Sequence, residues 1–287
     1  MPSLLLACLL FTAFETQAAP PVPAPIGPQS RAGNVAPSPD YEAALTALFQ
    51  KVVTDEGRVR YDLLRGTLNL DFRRVLKAVE VFDVKTLRTR QQKLAFWMNA
   101  YNVQMLQNII ETPQVHHIID DGFGEAFFDK PLLTATTDIT LNEIENVILR
   151  RQEGRTVLKM FGPDRLDPRL HVGLNCAALS CPRLRRRAFT ADNVDAELDA
   201  ALHDFAGSPT HFRTEGDRLI LSSLLDWYGS DFDQPDLPAG DFILQHMPPS
   251  RPGYAALKKT LTGRSSADLK ALPNVQFEYL WTVNRTQ

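Results

Sequence analysis

Apolar residues recur at helical spacing through the first half of the chain. In residues 41–53 they fall three or four positions apart, which predicts an amphipathic helix with one buried face. Residues 70–82 follow the same pattern and predict a second helix. In residues 90–111 apolar side chains cover most of the helical circumference, which is typical of a central, buried helix.

Two amides interrupt the apolar surface of the helix predicted for residues 90–111. Asn99 and Asn102 are three positions apart and therefore share a narrow polar stripe inside the protein. Buried amides need hydrogen-bond partners. The pattern leaves two interpretations open: the amides tie neighbouring loops in place, or one of them donates to a substrate or an oxyanion.

Residues 167–182 carry the densest candidate chemistry. Leu170, Val172 and Leu174 alternate with polar or small residues, which predicts a strand with one buried face. We expect a short helical turn after this strand, with Cys176 at its start, because free N–H groups at a helix start favour thiolate over thiol. Pro182 limits that turn, since the residue before a proline avoids helical geometry.

The second half of the chain alternates short predicted strands with helices but has no βαβ rhythm. A helix is predicted over residues 190–205, and strands over residues 219–221 and 276–283, while residues 114–138 and 233–253 are expected to be irregular. The predicted fold class is therefore α+β: a mostly helical single domain around a small, largely antiparallel sheet.

Composition and charge describe an ordinary globular protein. Of the 287 residues, 44% are hydrophobic and 23% are charged, and the formal net charge is −3. This balance gives no reason to expect nucleic acid as a partner. No apolar stretch reaches the roughly 20 residues that span a bilayer. The sequence also gives no reason to expect a cofactor.

The first residues resemble an export signal. Residues 4–14 form an apolar run, and small residues follow around Ala18, which predicts a signal peptide over residues 1–18 and a periplasmic or secreted protein. A lipid anchor at Cys8 is less favoured because the apolar run continues past it. Residues 19–39 contain seven prolines and predict a linker, which leaves residues 40–287 as the single globular domain.

Cleavage of the signal leaves Cys176 and Cys181 as the two cysteines of the mature chain, and four interpretations are open. They could form a disulfide in an oxidising compartment. Cys176 could be a nucleophile served by a histidine and an acid. Zinc bound with His171 is disfavoured, because the spacing matches no standard ligand set. Both thiols could also be inert core residues.

The nucleophile interpretation meets a geometric objection. A straight strand rises about 3.3 Å per residue, which would place His171 and Cys176 beyond hydrogen-bonding reach. They can meet if the chain folds back at Asn175 and Cys176 or bends at Gly173, a residue that tolerates such a bend. Otherwise the base comes from another segment; the remaining candidates are His116, His117, His211 and His246.

Glu145 is the candidate acid. Thr140 and Glu143 have the spacing of a capping box, and in the helix that they begin Glu145 lies beside the apolar stripe. One interpretation is an ion pair with Arg150 or Arg169. The other is a buried carboxylate that orients an imidazole.

Several blocks together resemble the domain-of-unknown-function family number 547, in order over roughly residues 45–284. They are Val59–Tyr61, Ala95-Phe-Trp-Met-Asn-Ala-Tyr-Asn102, Leu141-Asn-Glu-Ile-Glu145, the stretch from Asp167-Pro-Arg-Leu-His171 to Cys181-Pro182, Trp227-Tyr-Gly-Ser-Asp-Phe232 and Tyr279-Leu-Trp-Thr-Val-Asn284. The resemblance implies a single α+β domain that occurs in exported bacterial proteins. It also implies a cysteine-peptidase-like or transglutaminase-like site at Glu145, His171 and Cys176.

The sequence therefore predicts an exported thiol-dependent hydrolase or acyltransferase that acts on an amide, ester or thioester of a small molecule or peptide. Cys176 would be the nucleophile, His171 the base and Glu145 the orienting acid, with Asn99 or Asn102 supporting the oxyanion. The alternative, from another class, is a non-catalytic exported binding or scaffold domain in which Cys176 and Cys181 form a disulfide.

Overall fold

The computed structural model describes residues 41–119, 127–133 and 138–286. These residues lie in one compact unit, Ala36–Gln287. The predicted signal peptide, residues 1–18, and the linker, residues 19–39, lie outside the described residues and stay predictions. None of the helices in the described part of the chain is long and apolar enough to cross a bilayer.

Helices dominate the described residues. They are α1 (Tyr41–Val52), α2 (Tyr61–Arg65), α3 (Asn69–Glu80), α4 (Arg90–Glu111), α5 (Glu143–Leu149), α6 (Thr156–Lys159), α7 (Leu170–Gly173), α8 (Val194–Gly207), α9 (Leu224–Trp227), α10 (Gly229–Phe232), α11 (Ala239–His246), α12 (Tyr254–Leu261) and α13 (Ser266–Lys270). The strands are β1 (Pro131–Leu133), β2 (Asp138–Thr140), β3 (Phe212–Glu215), β4 (Arg218–Ser222) and β5 (Val275–Glu278).

The strands form two small sheets. β1 pairs antiparallel with β2, and the second sheet has the order β3-β4-β5. β3 and β4 pair antiparallel with Phe212 opposite Leu221, whereas β4 and β5 run parallel with Leu221 opposite Phe277. The predicted α+β class is confirmed, with two small sheets in place of one; two of the three strand pairings described are antiparallel.

The central helix α4 begins and ends where its sequence predicts. Thr89 accepts a hydrogen bond from the backbone N–H of Gln92, and the Gln92 side chain reaches back to Thr89, which together form a capping box. Buried residues lie on all sides of the helix, and Trp97 donates its indole N–H to the carbonyl of Phe161 at 2.9 Å. α4 is therefore the inner element that the others cover.

The buried side chains form two neighbouring apolar clusters. The first surrounds α4 and includes Leu170, and the second lies between α8, the β3-β4-β5 sheet and α11 and includes Val172. α7 thus contributes to both clusters, and Tyr279 packs against both. The segment that carries His171 and Cys176 therefore lies where the two clusters meet.

Two predictions of irregular structure are wrong in part. β1 and the start of β2 lie inside residues 114–138, and α11 lies inside the proline-rich residues 233–253. The three-residue strands are too short for an alternating pattern to mark them. α11 begins directly after Pro238. Proline is tolerated at the start of a helix, so the prolines of this stretch do not exclude one.

Candidate functional site

The segment that carries His171 begins with one turn of helix, and the predicted strand is not formed. α7 covers Leu170–Gly173, and every residue in it is buried. Just before the turn, the carboxylate of Asp167 accepts a hydrogen bond from the backbone N–H of Arg169 at 3.0 Å. Because the turn is enclosed on all sides, apolar alternation along it does not separate a core face from a solvent face.

No helical turn follows Cys176, so the prediction that a helix start lowers the pKa of its thiol is wrong. Ala177 lies in the left-handed region with a φ of 63°, which is uncommon for a residue with a Cβ atom. Asn175 fixes this bend: its Oδ1 accepts from the N–H of Ala177 at 3.1 Å, and its Nδ2 donates to the carbonyl of Pro182 at 2.8 Å.

Hydrogen bonds to the sulfur of Cys176 replace the missing helix start. The hydrogen bond with the thiol of Cys181 has the largest effect on the pKa of Cys176. The hydroxyl of Tyr279, 2.9 Å from the sulfur, and the N–H of Ala178 shift this pKa in the same direction. These contacts lower the pKa of Cys176, although burial and the negative charge of Glu145 oppose them. These hydrogen bonds therefore favour the thiolate form of Cys176 more than the surroundings of an ordinary cysteine do.

Cys181 is the more enclosed of the two cysteines. Its exposed fraction is 8%, and its sulfur accepts a hydrogen bond from the backbone N–H of Cys176 at 2.9 Å. Burial and the neighbouring Cys176 raise the pKa of Cys181 well above its usual value. Both cysteines are free thiols in this structure, so the disulfide of the alternative prediction is not formed here.

His171 binds an acid, but the acid is Asp231 and not Glu145. The Nε2 of His171 lies 2.8 Å from Oδ2 of Asp231, and its ring stacks on Tyr228 with 4.2 Å between the ring centroids. The same carboxylate oxygen accepts from Nε of Arg150 at 2.5 Å. Burial opposes ionisation of Asp231, but the hydrogen bonds from His171 and Arg150 outweigh it and lower the pKa of Asp231.

Glu145 is buried, and its partners are tyrosine hydroxyls. The hydroxyl of Tyr101 donates to Oε2 of Glu145 at 3.3 Å, and Glu145 also hydrogen-bonds Tyr228. Neither the predicted ion pair with Arg150 or Arg169 nor the predicted contact with an imidazole is formed within the described residues. Burial raises the pKa of Tyr101 and of Tyr228, so both hydroxyls stay protonated as donors at neutral pH.

The helix α5 presents Glu145 with an uncommon geometry. Its hydrogen bonds join residues five apart, as in the bond from the N–H of Arg150 to the carbonyl of Glu145 at 2.8 Å. The predicted capping box is confirmed, since Thr140 and Glu143 exchange two hydrogen bonds of 3.1 Å. Wide turns of this kind are frequent at functional sites.

Asn99 and Asn102 bind backbone groups. Asn99 donates to the carbonyl of Phe189 at 2.7 Å and accepts from the N–H of the same residue at 3.0 Å. Asn102 donates to the carbonyl of Gly173 at 3.0 Å and accepts from the N–H of Asn175 at 2.8 Å. These are the contacts of side chains that tie loops to α4, and they supply no observed contact for an oxyanion role.

A cavity of about 370 Å³ brings the chemical groups together. It is lined by Tyr101, Ile119, Phe128, Asn142, Glu145, His171, Leu174, Cys176, Cys181, Leu224, Trp227, Tyr228, Tyr279 and Trp281. Cys176, His171 and Glu145 therefore face one space, although no hydrogen bond joins any two of these three described residues.

The other residues considered in the sequence lie away from this cavity. Neither Asn99 nor Asn102 contributes to its wall, and none of His116, His117, His211 and His246 does so within the described chain. Among the residues that the structure describes, no three His, Cys, Asp or Glu side chains are arranged to hold a metal ion. Of the candidate histidines in the described chain, His171 is therefore the one that lines the cavity together with Cys176.

The sequence pattern did not point to Asp231, Tyr228 or Tyr279 as site residues. All three lie inside blocks that carry the family resemblance, Trp227–Phe232 and Tyr279–Asn284. Their position in these blocks is the one sequence signal that could have marked them as site residues. Their roles depend on partners 60 and 103 positions away, as in the contacts of Asp231 with His171 and of Tyr279 with Cys176.

Residues 84–206 match the model of the family described as "Protein of unknown function, DUF547", which confirms the resemblance found in the sequence over that stretch. The matched stretch contains Glu145, His171 and Cys176 but ends before Asp231 and Tyr279. No curated protein and no solved structure shows a significant similarity to the chain. The match states no biochemical activity.

Proposed function

We propose that this protein is a thiol-dependent hydrolase or acyltransferase in which Cys176 attacks the carbonyl carbon of an amide, ester or thioester. One observation carries the proposal: a free sulfur whose pKa is lowered by its hydrogen bonds lines a cavity that also contains an imidazole. Thiolate is the nucleophilic form of cysteine, and an adjacent proton carrier completes the minimum apparatus of acyl transfer.

The reaction has two halves. The Cys176 proton passes to His171, the sulfur bonds to the carbonyl carbon, and the tetrahedral adduct collapses as the leaving group departs with a proton from His171. Water, an amine or an alcohol then attacks the thioester, gives its proton to His171 and releases the thiolate. The first nucleophile makes the protein a hydrolase, and the other two make it an acyltransferase.

His171 serves as the proton carrier with Asp231 as its orienting acid. When Nε2–H donates to Asp231, Nδ1 is the nitrogen that can accept a proton. The stack on Tyr228 holds the plane of the ring. Catalytic hydrogen bonds in an empty site are often long and tighten when substrate binds, so the shared cavity is the relevant observation for His171 and Cys176.

Tyr279 is the residue to which we assign oxyanion support, in place of Asn99 or Asn102. Its hydroxyl lies 2.9 Å from the Cys176 sulfur, so it is also near any carbon that bonds to that sulfur. Burial raises the pKa of Tyr279 well above its usual value, which keeps the hydroxyl protonated as a donor.

Alkylation of the native, unreduced protein tests the proposal. We expect iodoacetamide to label Cys176 with a titration midpoint below the usual thiol value of about 8.5. Cys181→Ala and Tyr279→Phe each remove a donor and should move the midpoint upward. Cys181→Ser keeps a donor at the same position and should stay closer to the wild type, which makes it the matched control.

Three outcomes would contradict the proposal. The first is a native mass two hydrogens lighter with no free thiol, which would favour the non-catalytic domain with a Cys176–Cys181 disulfide. The second is labelling of Cys176 with the midpoint of an ordinary exposed thiol. The third is unchanged turnover of a para-nitrophenyl ester by Cys176→Ala, since a nucleophile cannot be dispensable.

We also propose that the protein is exported to the periplasm or secreted, on the apolar run and the small residues of positions 1–18. The mature chain should then begin near residue 19. Mass spectrometry of the protein purified from a secreting host measures its first residue. A full-length chain retained inside the cell would contradict this proposal and leave the proposed chemistry untouched.

A further inference from the structure

Glu145 is a buried carboxylate that lines the cavity without a cationic partner. Its exposed fraction is 9%, and within the described chain no Lys or Arg forms an ion pair with it. The hydroxyls of Tyr101 and Tyr228 donate to it, but hydroxyls carry no compensating charge. Buried charges in proteins are otherwise paired, because leaving water without a partner is costly.

Aromatic rings line the same cavity. Trp227 and Trp281 stack with 5.4 Å between their centroids and an interplanar angle of 25°. The ring of Tyr279 lies 4.8 Å from Trp227 and 4.5 Å from Trp281. Trp227 is 43% exposed, so this aromatic cluster is open to solvent and to a ligand.

The charges around the cavity favour a positive ligand. No Lys or Arg side chain belongs to its wall in the described residues. Arg150 lies over the ring of Tyr228, 4.8 Å from its centroid, and it is already paired with Asp231. The cavity therefore combines the carboxylate of Glu145 with the electron-rich faces of indole and phenol rings, both of which attract cations.

We infer that the cavity binds an organic cation, an alkylammonium group of the substrate, with Glu145 as its counter-charge and Trp227 and Trp281 as its aromatic wall. The inference that the cavity binds a cation stands on the cavity itself; the statement that this cation is part of the substrate rests on the proposed function. It names a substrate class: an amide, ester or thioester with an alkylammonium group, or an amine that accepts the acyl group. The same arrangement disfavours anionic substrates.

Binding is measured on Cys176→Ser, which retains the cavity and lacks the thiolate. The probes are choline with its uncharged isostere dimethylbutanol, and n-butylammonium with n-butanol, followed by calorimetry and tryptophan fluorescence. We expect the cation of at least one pair to bind at least about tenfold more tightly than its neutral partner. The two pairs distinguish a quaternary from a primary ammonium group.

Glu145→Gln removes the charge and keeps the shape, and it should abolish the difference between a cation and its isostere. Glu143→Gln is the matched control: it lies on the same helix, keeps the capping-box geometry and should leave the difference intact. Should Glu145→Gln not fold, by circular dichroism, Trp227→Leu tests the same cavity from an exposed position and should weaken binding of the cation.

Equal binding of cations and isosteres would overturn the inference, and so would a preference that survives both Glu145→Gln and Trp227→Leu. Absence of binding by all four probes has the same consequence. These results are independent of the alkylation experiment. A cation preference together with an ordinary, unreactive Cys176 would contradict the proposed chemistry and leave the binding site standing.

Discussion

At the scale of single residues, three buried amides hold the bend that presents Cys176. Asn102 binds both sides of the bend, at the carbonyl of Gly173 and the N–H of Asn175. Asn284 extends the network, because its Nδ2 lies 3.4 Å from Oδ1 of Asn175 and its Oδ1 accepts from the hydroxyl of Tyr61 at 2.7 Å. The left-handed residue beside the sulfur thus depends on side chains from three distant segments.

Asn102→Ala should destabilise the protein by about 2–5 kcal/mol, since it leaves two buried backbone groups without partners. The free energy of unfolding is measured by urea denaturation. Asn69→Ala is the control: its amide makes one bond to the carbonyl of Leu64 at a partly exposed position, so its cost should be smaller. Similar losses for both variants would contradict the assigned role.

The sequence predicted at this scale which polar residues would be buried, but not what they would bind. Asn99 and Asn102 were placed correctly because an apolar circumference marks a buried helix. Glu145 was placed beside the core for the same reason, and it is buried. The partners of Glu145 could not be predicted, because helical periodicity does not indicate which segment packs against the side of the helix that carries Glu145.

At the scale of elements, α7 acts as a tightly enclosed spacer between α4 and α8. A Cβ atom built on Gly173 would lie 2.8 Å from Cδ2 of Leu198 and 3.0 Å from the sulfur of Met98. An added Cβ atom would therefore force the ends of these two buried side chains to shift. The close approach of α7 to both helices in turn sets where the chain leaves α7 toward Cys176.

Gly173→Ala should therefore destabilise the protein by about 1–3 kcal/mol, the usual cost of overpacking a core. It should also slow alkylation of Cys176, because the displaced turn carries the loop with it. Thermal unfolding and the alkylation rate measure the two effects. Gly207→Ala, where the added atom meets only the ring of Pro248 at 3.3 Å, should change both quantities little.

The prediction of elements succeeded for long periodic segments and failed for single turns. α1 and α4 start or end within a residue of the predicted bounds, because twelve or more residues repeat the helical pattern. α7 has four residues, and four residues cannot distinguish a buried turn from a buried strand. Because the helical turn lies before Cys176 and no helix starts at it, the helix start that was expected to activate Cys176 is not formed.

At the scale of the whole molecule, the end of the described chain returns to three distant segments. Thr282 forms a bridge with His117, Val283 with Ala178, and Arg285 with Val59. This return brings Tyr279 and Trp281 to the cavity, so the site is complete only when the last strand and its continuation have docked.

His211 makes the stability of the whole molecule depend on pH. Burial lowers the pKa of His211 to about 3, and its Nδ1 has no hydrogen-bond partner in the described structure. The unfolded chain binds a proton near pH 6.5, whereas the folded chain does not until about pH 3. The contribution to stability is therefore complete above pH 6.5 and is lost as the pH falls toward 3.

Between pH 7 and pH 5 this linkage should lower the free energy of unfolding by about 2 kcal/mol. His211→Gln lacks the titrating group, so its loss over the same interval should be smaller by that amount. Urea denaturation at several pH values measures both proteins. Parallel pH profiles for the two would contradict the neutral, buried state of His211.

The sequence by itself determined the helices with long apolar periods, the α+β class and the family resemblance, and it selected Cys176, His171 and Glu145, which line one cavity. Only the tertiary structure decided how these residues are paired: His171 with Asp231, Glu145 with two tyrosines and Cys176 with Cys181 and Tyr279. The physical reason is that periodicity reports which face of an element is buried, whereas a hydrogen bond across 60 or 103 positions depends on how the elements pack.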